Sequence, residues 1–399
     1  MNICITNHDM QPLFIGGIKR VITILSEEWR KEGCSITIIS VAPQGTIYQM
    51  LGKVSQYIFP NIDNILSKEN EAFFSNVIKQ EKIDIVLHPY VLEKELTQLC
   101  VNVRKKHKLK LITALHFAPT HNSDILRSFF FNTYRLRGNL VSWAKEVAIY
   151  IKYLLYTKHK IEKEETLLIK SLIANSDKLI FLSVSYINSI KNKISNTDLQ
   201  KVAAINNPAN IYNNKTEAVT KKKQVLWCGR VEYSMKRVDR IIDIWREIAP
   251  KYPDWELIVM GSGDIEYFRN LTKKLQIPNI TFTGSCDPTK YYEQGAILCM
   301  TSSTEGLPMV LIEAMQYRCA TIAYNSFESL QDIITDGYNG YKVTPFNKKE
   351  YIQKLKNLMT NEALRKTFGQ NSIEVIKKFD KEIIANKWIE LFREIIAKK

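Results

Sequence analysis

Short apolar runs alternate with longer amphipathic stretches along the whole chain, and few folds accommodate that pattern. The short runs read as strands buried on both faces. The stretches between them read as the crossover helices that neighbouring parallel strands require. A first series of strands is expected near Ile3 to Thr6, Ile36 to Ser40, Ile85 to His88, Leu111 to His116, Leu179 to Ser183 and Val202 to Asn206. A second begins near Val225 to Cys228 and continues near Leu257 to Met260, Ile280 to Thr283, Ile297 to Met300, Thr321 to Tyr324 and Tyr341 to Val343. Two doubly wound α/β domains follow. The turn-rich Asn206 to Lys215 and the charged Lys221-Lys222-Lys223 lie between the series. The expected domains are therefore 1–207, with a basic aromatic helical insertion near 121–170, and 208–380. A helix over 381–399 carries Ile384, Trp388, Leu391, Phe392 and Ile395 at helical spacing, a stripe that needs a surface to cover and is expected to pack towards the first domain.

A length of 399 residues supports two sizeable cores. The seven cysteines occur singly and without Cys-x-x-Cys spacing, so reduced core thiols are expected and a zinc site is not. No run of eighteen uncharged apolar residues occurs, and Asn2 to Thr6 opens the chain without a basic, apolar leader. A cytoplasmic protein is expected. The net charge of +15 favours polyanionic partners or an anionic membrane surface without choosing between them.

The segment from Thr301 to Met315 carries the most chemistry. It follows the apolar run Ala296 to Met300 and enters a stretch of good helix formers from Met309, with Pro308 near the first turn. The amides of a helix start bind anions such as a diphosphate. Glu305 precedes that helix and Glu313 lies inside it, so the two carboxylates have separate tasks. A carboxylate beside a phosphate site is best used in accepting hydrogen bonds from hydroxyls. A ligand with both a diphosphate and many hydroxyls is a nucleotide sugar. The plainer reading is an acidic helix start with solvated charges.

Gly229-Arg230 and Lys236 follow the first strand of the second series and fall on the same sheet edge as Glu305. A guanidinium fork and a mobile ammonium suit a leaving group that gains negative charge, although a basic surface loop would read alike. Gly16-Gly17 joins the first strand to a helix, where glycines allow close backbone approach to a ligand or simply make a turn. His8, His88 and His116 each follow a strand, and an ordinary buried or loop histidine is the plainer reading of any one. From His121 to Lys160, seven Lys or Arg stand against two acidic residues, interleaved with Phe129, Phe130, Phe131, Tyr134, Trp143, Tyr150, Tyr153 and Tyr156. This composition fits a helix on an anionic bilayer, a core helix with snorkelling lysines, or a nucleic-acid contact. No RNA-binding or helix-turn-helix module is evident, and nucleic acid is not expected.

These motifs, in this order, resemble the family 4 glycosyltransferases of the GT-B fold, two Rossmann-like doubly wound domains facing a cleft, over nearly the whole chain. The frame Glu305-Gly306-Leu307-Pro308 through Glu313-Ala314-Met315 carries the likeness, with Gly229-Arg230 and Lys236. The resemblance implies that Glu305 contacts donor-sugar hydroxyls, Glu313 the ribose, and Arg230 and Lys236 the diphosphate. It implies that the amides of Leu307, Pro308, Met309 and Val310, as a segment, meet the phosphates. Gly16 and Gly17 match the family's glycine loop, Asn207-Pro208 its interdomain Asn-Pro, and His116 the histidine lining the acceptor side near the reacting sugar. Two departures stand out: Arg318 replaces the usual Gly after the second carboxylate's helix, and Lys236-Arg237 replaces Lys-Gly.

The implied activity is transfer of a sugar, with retention, from a nucleotide diphosphate sugar to a hydroxyl of a glycan or lipid-linked acceptor in capsule, O-antigen or exopolysaccharide synthesis. Arg230, Lys236, Glu305 and His116 are the expected catalytic set. No metal or other cofactor is expected, and activity should survive a chelator. The implied location is the inner face of the cytoplasmic membrane, contacted through residues 121–160. The rivals are a GT-B epimerase or hydrolase using the same donor pocket and a noncatalytic polyanion or nucleic-acid binder on this scaffold.

Overall fold

The computed structural model describes residues 1–7, 17–42, 54–89, 91–129, 141, 144, 147–148, 151–211 and 220–397. Two compact units emerge: residues 1–119, 166–210 and 378–399 form the first, and residues 120–165 and 211–377 the second.

Among the described residues, the first unit holds β1 (Asn2–Asn7), β2 (Ser35–Ser40), β3 (Ser55–Ile58), β4 (Ile85–His88), β5 (Lys110–Leu115), β6 (Lys178–Phe181) and β7 (Val202–Ala204). They form one parallel sheet in the order β3-β2-β1-β4-β5-β6-β7. Because side chains alternate along a strand, Ile3 and Ile5 pack on one face with Trp29, Ile36 and Leu87. Cys4 packs on the other with Phe59, Phe74 and Leu99. The sequence pattern missed β3, whose Ser-Gln-Tyr-Ile is partly exposed throughout at the sheet edge and so carries no apolar run.

The helix Lys381–Ala397 buries Ile384, Trp388, Leu391, Phe392 and Ile395 in the same core as Trp29 of the helix Gly17–Lys31. Trp29 stands edge-on to Trp388 at 6.0 Å and to Phe392 at 5.2 Å, and its indole N–H donates to the Ala385 carbonyl. Buried Glu28 accepts from Lys31 and pairs with Lys381, and these ammonium groups hold its carboxyl below the usual range against the opposing effect of burial. His88 shows why a strand-end histidine need not be a site residue. It is fully buried between Thr6 and Thr97, 2.7 and 2.8 Å from its two ring nitrogens, and burial lowers its pKa to about 3.

The second unit contains β8 (Lys222–Cys228), β9 (Glu256–Met260), β10 (Ile280–Gly284), β11 (Gly295–Met300), β12 (Ala320–Tyr324) and β13 (Gly340–Val343), again all parallel, in the order β10-β9-β8-β11-β12-β13. Strand order reverses between β8 and β11. At such a point the loops leaving neighbouring strands diverge and open a crevice at the carboxyl edge. The sheet packs through Val225, Trp227, Ile297 and Ile322 against Ile241 and Trp245 of the helix Val238–Ile248.

Candidate active site

The loops after β8 and β11 are tied together where the strand order reverses. Ser303 N–H donates to the Met235 carbonyl at 2.7 Å. The Thr301 hydroxyl donates to the Arg237 carbonyl at 2.9 Å and accepts the Trp227 indole N–H at 3.0 Å. This lacing brings Lys236 onto Glu305, its Nζ 2.7 Å from each carboxylate oxygen. Ser302 Oγ donates to Glu305 Oε1 at 2.7 Å. Glu305 is only 6% exposed, whereas the Lys236 side chain keeps 27%. A nearly buried carboxylate is thereby held by a cation that still reaches solvent. An ammonium has three N–H donors, so Lys236 can hold both Glu305 oxygens and turn a third donor to a phosphate.

Arg230 lies on the same loop but stands apart from that pair, 68% exposed with Nη1 3.6 Å from Glu232. Pro308 occupies the N-cap of the helix Met309–Gln316, with no side-chain hydrogen bond capping it. Leu307 and Pro308 are buried, and Gly306, Met309 and Val310 are partly exposed. Glu313 is half-buried within this helix, and its charge, adding to burial, raises the Cys228 thiol at the end of β8 to about 11. A Cβ on Gly229 would stand 3.5 Å from side-chain carbons of Lys236 and Trp227, in ordinary van der Waals contact.

In the first unit, His116 directly follows β5 and hydrogen-bonds Asn207; burial lowers its pKa to about 4, so the ring is neutral at pH 7. Gly17 opens the helix Gly17–Lys31 with open space where a Cβ would stand. His8, Gly16, Phe130, Phe131, Tyr134, Trp143 and Tyr150 lie outside the described residues.

Two segments and one pairing went unread in the sequence. Gly261-Ser262-Gly263 after β9 is zipped to the β8 loop: Gly229 N–H donates to Met260 O, Val231 N–H to Ser262 O, and Asp264 N–H to Val231 O. At φ +135° a Cβ on Gly261 would lie 1.9 Å from the Gly229 carbonyl oxygen, and at φ +129° one on Gly263 would lie 2.5 Å from that of Val231. The readable signal was Gly-x-Gly directly after an apolar run. Second, His121 opens the helix His121–Phe129 near Glu305, whose charge opposes the downward effect of burial on the imidazole. Glu165 holds that helix start, accepting from the Asn122 and Ser123 amides and from Ser123 Oγ. Third, Arg237 is fully buried and forks onto Asp239 at 2.9 and 2.7 Å.

Arg237 explains one departure from the family pattern. Its φ is +54°, and Arg318 has φ +57°. Both arginines therefore occupy left-handed positions, where glycine is least strained. The buried Asp239 pair ties Arg237 to its place. Among the described residues, no group of three or more His, Cys, Asp or Glu is placed to hold a metal ion. None of the described helices is long and apolar enough to cross a membrane.

Residues 209–375 match the family model described as Glycosyl transferases group 1. An uncharacterized glycosyltransferase of Haemophilus influenzae is 26% identical over 94% of this chain and 95% of its own length. The amylovoran biosynthesis glycosyltransferase AmsD of Erwinia amylovora is 32% identical over 43% of this chain, which spans about half of that relative (48%). Among solved structures, a mutant of S. aureus TarM in complex with Fondaparinux, alpha-GlcNAc-glycerol and UDP superposes with a TM-score of 0.74 at 14% identity, covering 98% of this chain and 100% of that one. These matches support a glycosyltransferase. The two parallel α/β units are those of the GT-B fold.

The two left-handed arginines should respond differently to glycine. Arg237→Gly relaxes the backbone but leaves Asp239 buried without its fork, and should cost about 3 kcal/mol in denaturant unfolding. Arg318→Gly should change stability by less than about 1 kcal/mol. Equal losses in the two variants would contradict this account of Arg237.

Proposed function

We propose that this chain is a retaining family 4 glycosyltransferase that moves a sugar from a nucleotide diphosphate sugar to a hydroxyl of a lipid-linked glycan in bacterial capsule, O-antigen or exopolysaccharide synthesis. The observation that carries the reading is the Lys236–Glu305 pair where strand order reverses in the second sheet. Glu305, fixed by Lys236 and Ser302, offers acceptor oxygens to sugar hydroxyls. Lys236 supplies charge where the diphosphate departs, and Arg230 swings a second cation onto it. The segment Leu307 to Val310 meets the phosphates through the N–H groups of Leu307, Met309 and Val310, Pro308 having none, Glu313 meets the ribose, and Gly16, Gly17 and Gly229 permit close approach of the backbone.

The second unit takes the donor, and the first takes the acceptor's reacting hydroxyl, beside a neutral His116. In a front-face transfer the bond from the anomeric carbon to the phosphate oxygen breaks while that to the acceptor oxygen forms. The acceptor proton passes to the departing phosphate oxygen. The complex of TarM with UDP supports a uridine donor, and the amylovoran relative supports a surface-polysaccharide product.

The inner membrane face is the proposed location. Exposed Ile151, Leu154, Leu155 and Tyr156 are followed by Lys158, Lys160 and Lys163, which suits an anionic bilayer.

Lys236→Ala should lower turnover about a hundredfold, equivalent to roughly 3 kcal/mol of lost stabilisation of the departing phosphate. The assay is chromatographic detection of the glycosylated acceptor, with folding checked by the melting transition. Near-parental turnover in a folded variant would contradict the role of Lys236. In sedimentation with vesicles, the protein should pellet with anionic lipid and be released by high salt. Equal failure to bind anionic and neutral vesicles would remove the membrane reading.

A further inference from the structure

The loops after β11, β12 and β13 border an open pocket of about 600 Å3, solvent-open space included, within the second unit. It lies across β11 from the loops that follow β8 and β9. Ser303, two residues before Glu305, lines it. Ser303 is 1% exposed, and its Oγ has no hydrogen-bond partner among the described residues. A buried hydroxyl left unpaired costs about 1–3 kcal/mol, which a ligand atom in the pocket would relieve.

The rest of the wall has the chemistry of sugar recognition. Lys342 donates to Gln331 Oε1, and Gln331 Nε2 donates to Asn325 Oδ1 at 2.8 Å, which fixes both amides at the rim and leaves Nδ2 as the donor end of Asn325. Ser326 is held by its bond to the Ser302 carbonyl at 2.7 Å. Phe346 adds an aromatic surface, its ring carrying the Arg240 guanidinium at 3.7 Å from the centroid. Amides and hydroxyls match the hydroxyls of a pyranose, and an aromatic ring matches its C–H face. The charged residues among the described lining are Asp124 and Glu328, both acidic; Lys342 and Arg240 stand behind Gln331 and Phe346 and are engaged there, so the charge an anionic ligand meets first is negative and repels it.

We propose that this pocket binds a neutral, hydroxyl-rich sugar residue of the acceptor glycan and discriminates against uronic acids and other anionic sugars. The assignment to the acceptor rests on the transferase reading, since Gly229, Arg230 and Lys236, assigned to the donor, lie on the loop after β8, on the other side of β11.

Saturation-transfer NMR on the full chain, with and without UDP, tests the proposal with methyl glucoside, methyl galactoside, methyl N-acetylglucosaminide and methyl glucuronide. At least one neutral glycoside should bind and the glucuronide should not. In Asn325→Ala/Gln331→Ala, whose sites are exposed and should tolerate the change, that binding should weaken about tenfold or more, as expected for two lost hydrogen bonds. UDP affinity should stay unchanged. The proposal fails if no neutral glycoside binds, if the glucuronide binds equally well, or if the double variant binds like the parent. Glycoside binding that the double variant loses, without UDP binding, would instead refute a uridine donor while leaving the pocket assigned.

Discussion

Lys236 and Glu305 meet because two loops leave adjacent parallel strands at the point where strand order reverses, and a short set of hydrogen bonds laces those loops together. A carboxylate as buried as Glu305 is tolerable only when paired and hydrogen-bonded, and Lys236 and Ser302 meet that requirement. The same contacts pre-set a hydroxyl acceptor beside a cation before any ligand arrives. Preorganised charge of this kind stabilises a transition state without reorganisation during the reaction.

The lacing depends on backbone conformations that few residues adopt. Gly261 and Gly263 accept theirs because no Cβ would fit against the β8 loop. Arg237 takes a left-handed conformation as a full side chain, fixed by its buried fork on Asp239. One helical turn on, Arg240 spans from the Thr301 carbonyl to the face of Phe346, linking the Glu305 loop to the segment after β13. The loops that carry Lys236 and Glu305 and the proposed sugar pocket thus share one buried arginine layer.

The fold was legible in the sequence because a strand buried on both faces must be an apolar run, and the twelve expected runs became strands, including the partly exposed edge strands β7, β10 and β13, which keep apolar residues. The edge strand β3 stayed hidden because one sheet neighbour and partial exposure impose little on Ser55 to Ile58. The sequence singles out Lys236 and Glu305 on loops that follow strands and Glu313 inside the next helix, and folding brings the first two together. What they pair with could not be read. Arg230 and Lys236 read alike as phosphate cations, yet one is exposed beside Glu232 and the other grips Glu305. Ser303 and Asn325 carry no signal until folding brings the loops after β11 and β12 side by side.

The central claim is that the carboxyl edge of the second sheet is a nucleotide-sugar site. The most direct measurement is thermal stabilisation of the purified protein across a panel of nucleotides and nucleotide sugars, with RNA included. A member bound at a hundred times its dissociation constant adds about 2.7 kcal/mol. The account predicts a shift selective for one base, with its sugar diphosphates among the stabilising ligands. A folded protein that no nucleotide or nucleotide sugar stabilises, and that RNA does, would contradict it and favour a polyanion binder on this scaffold.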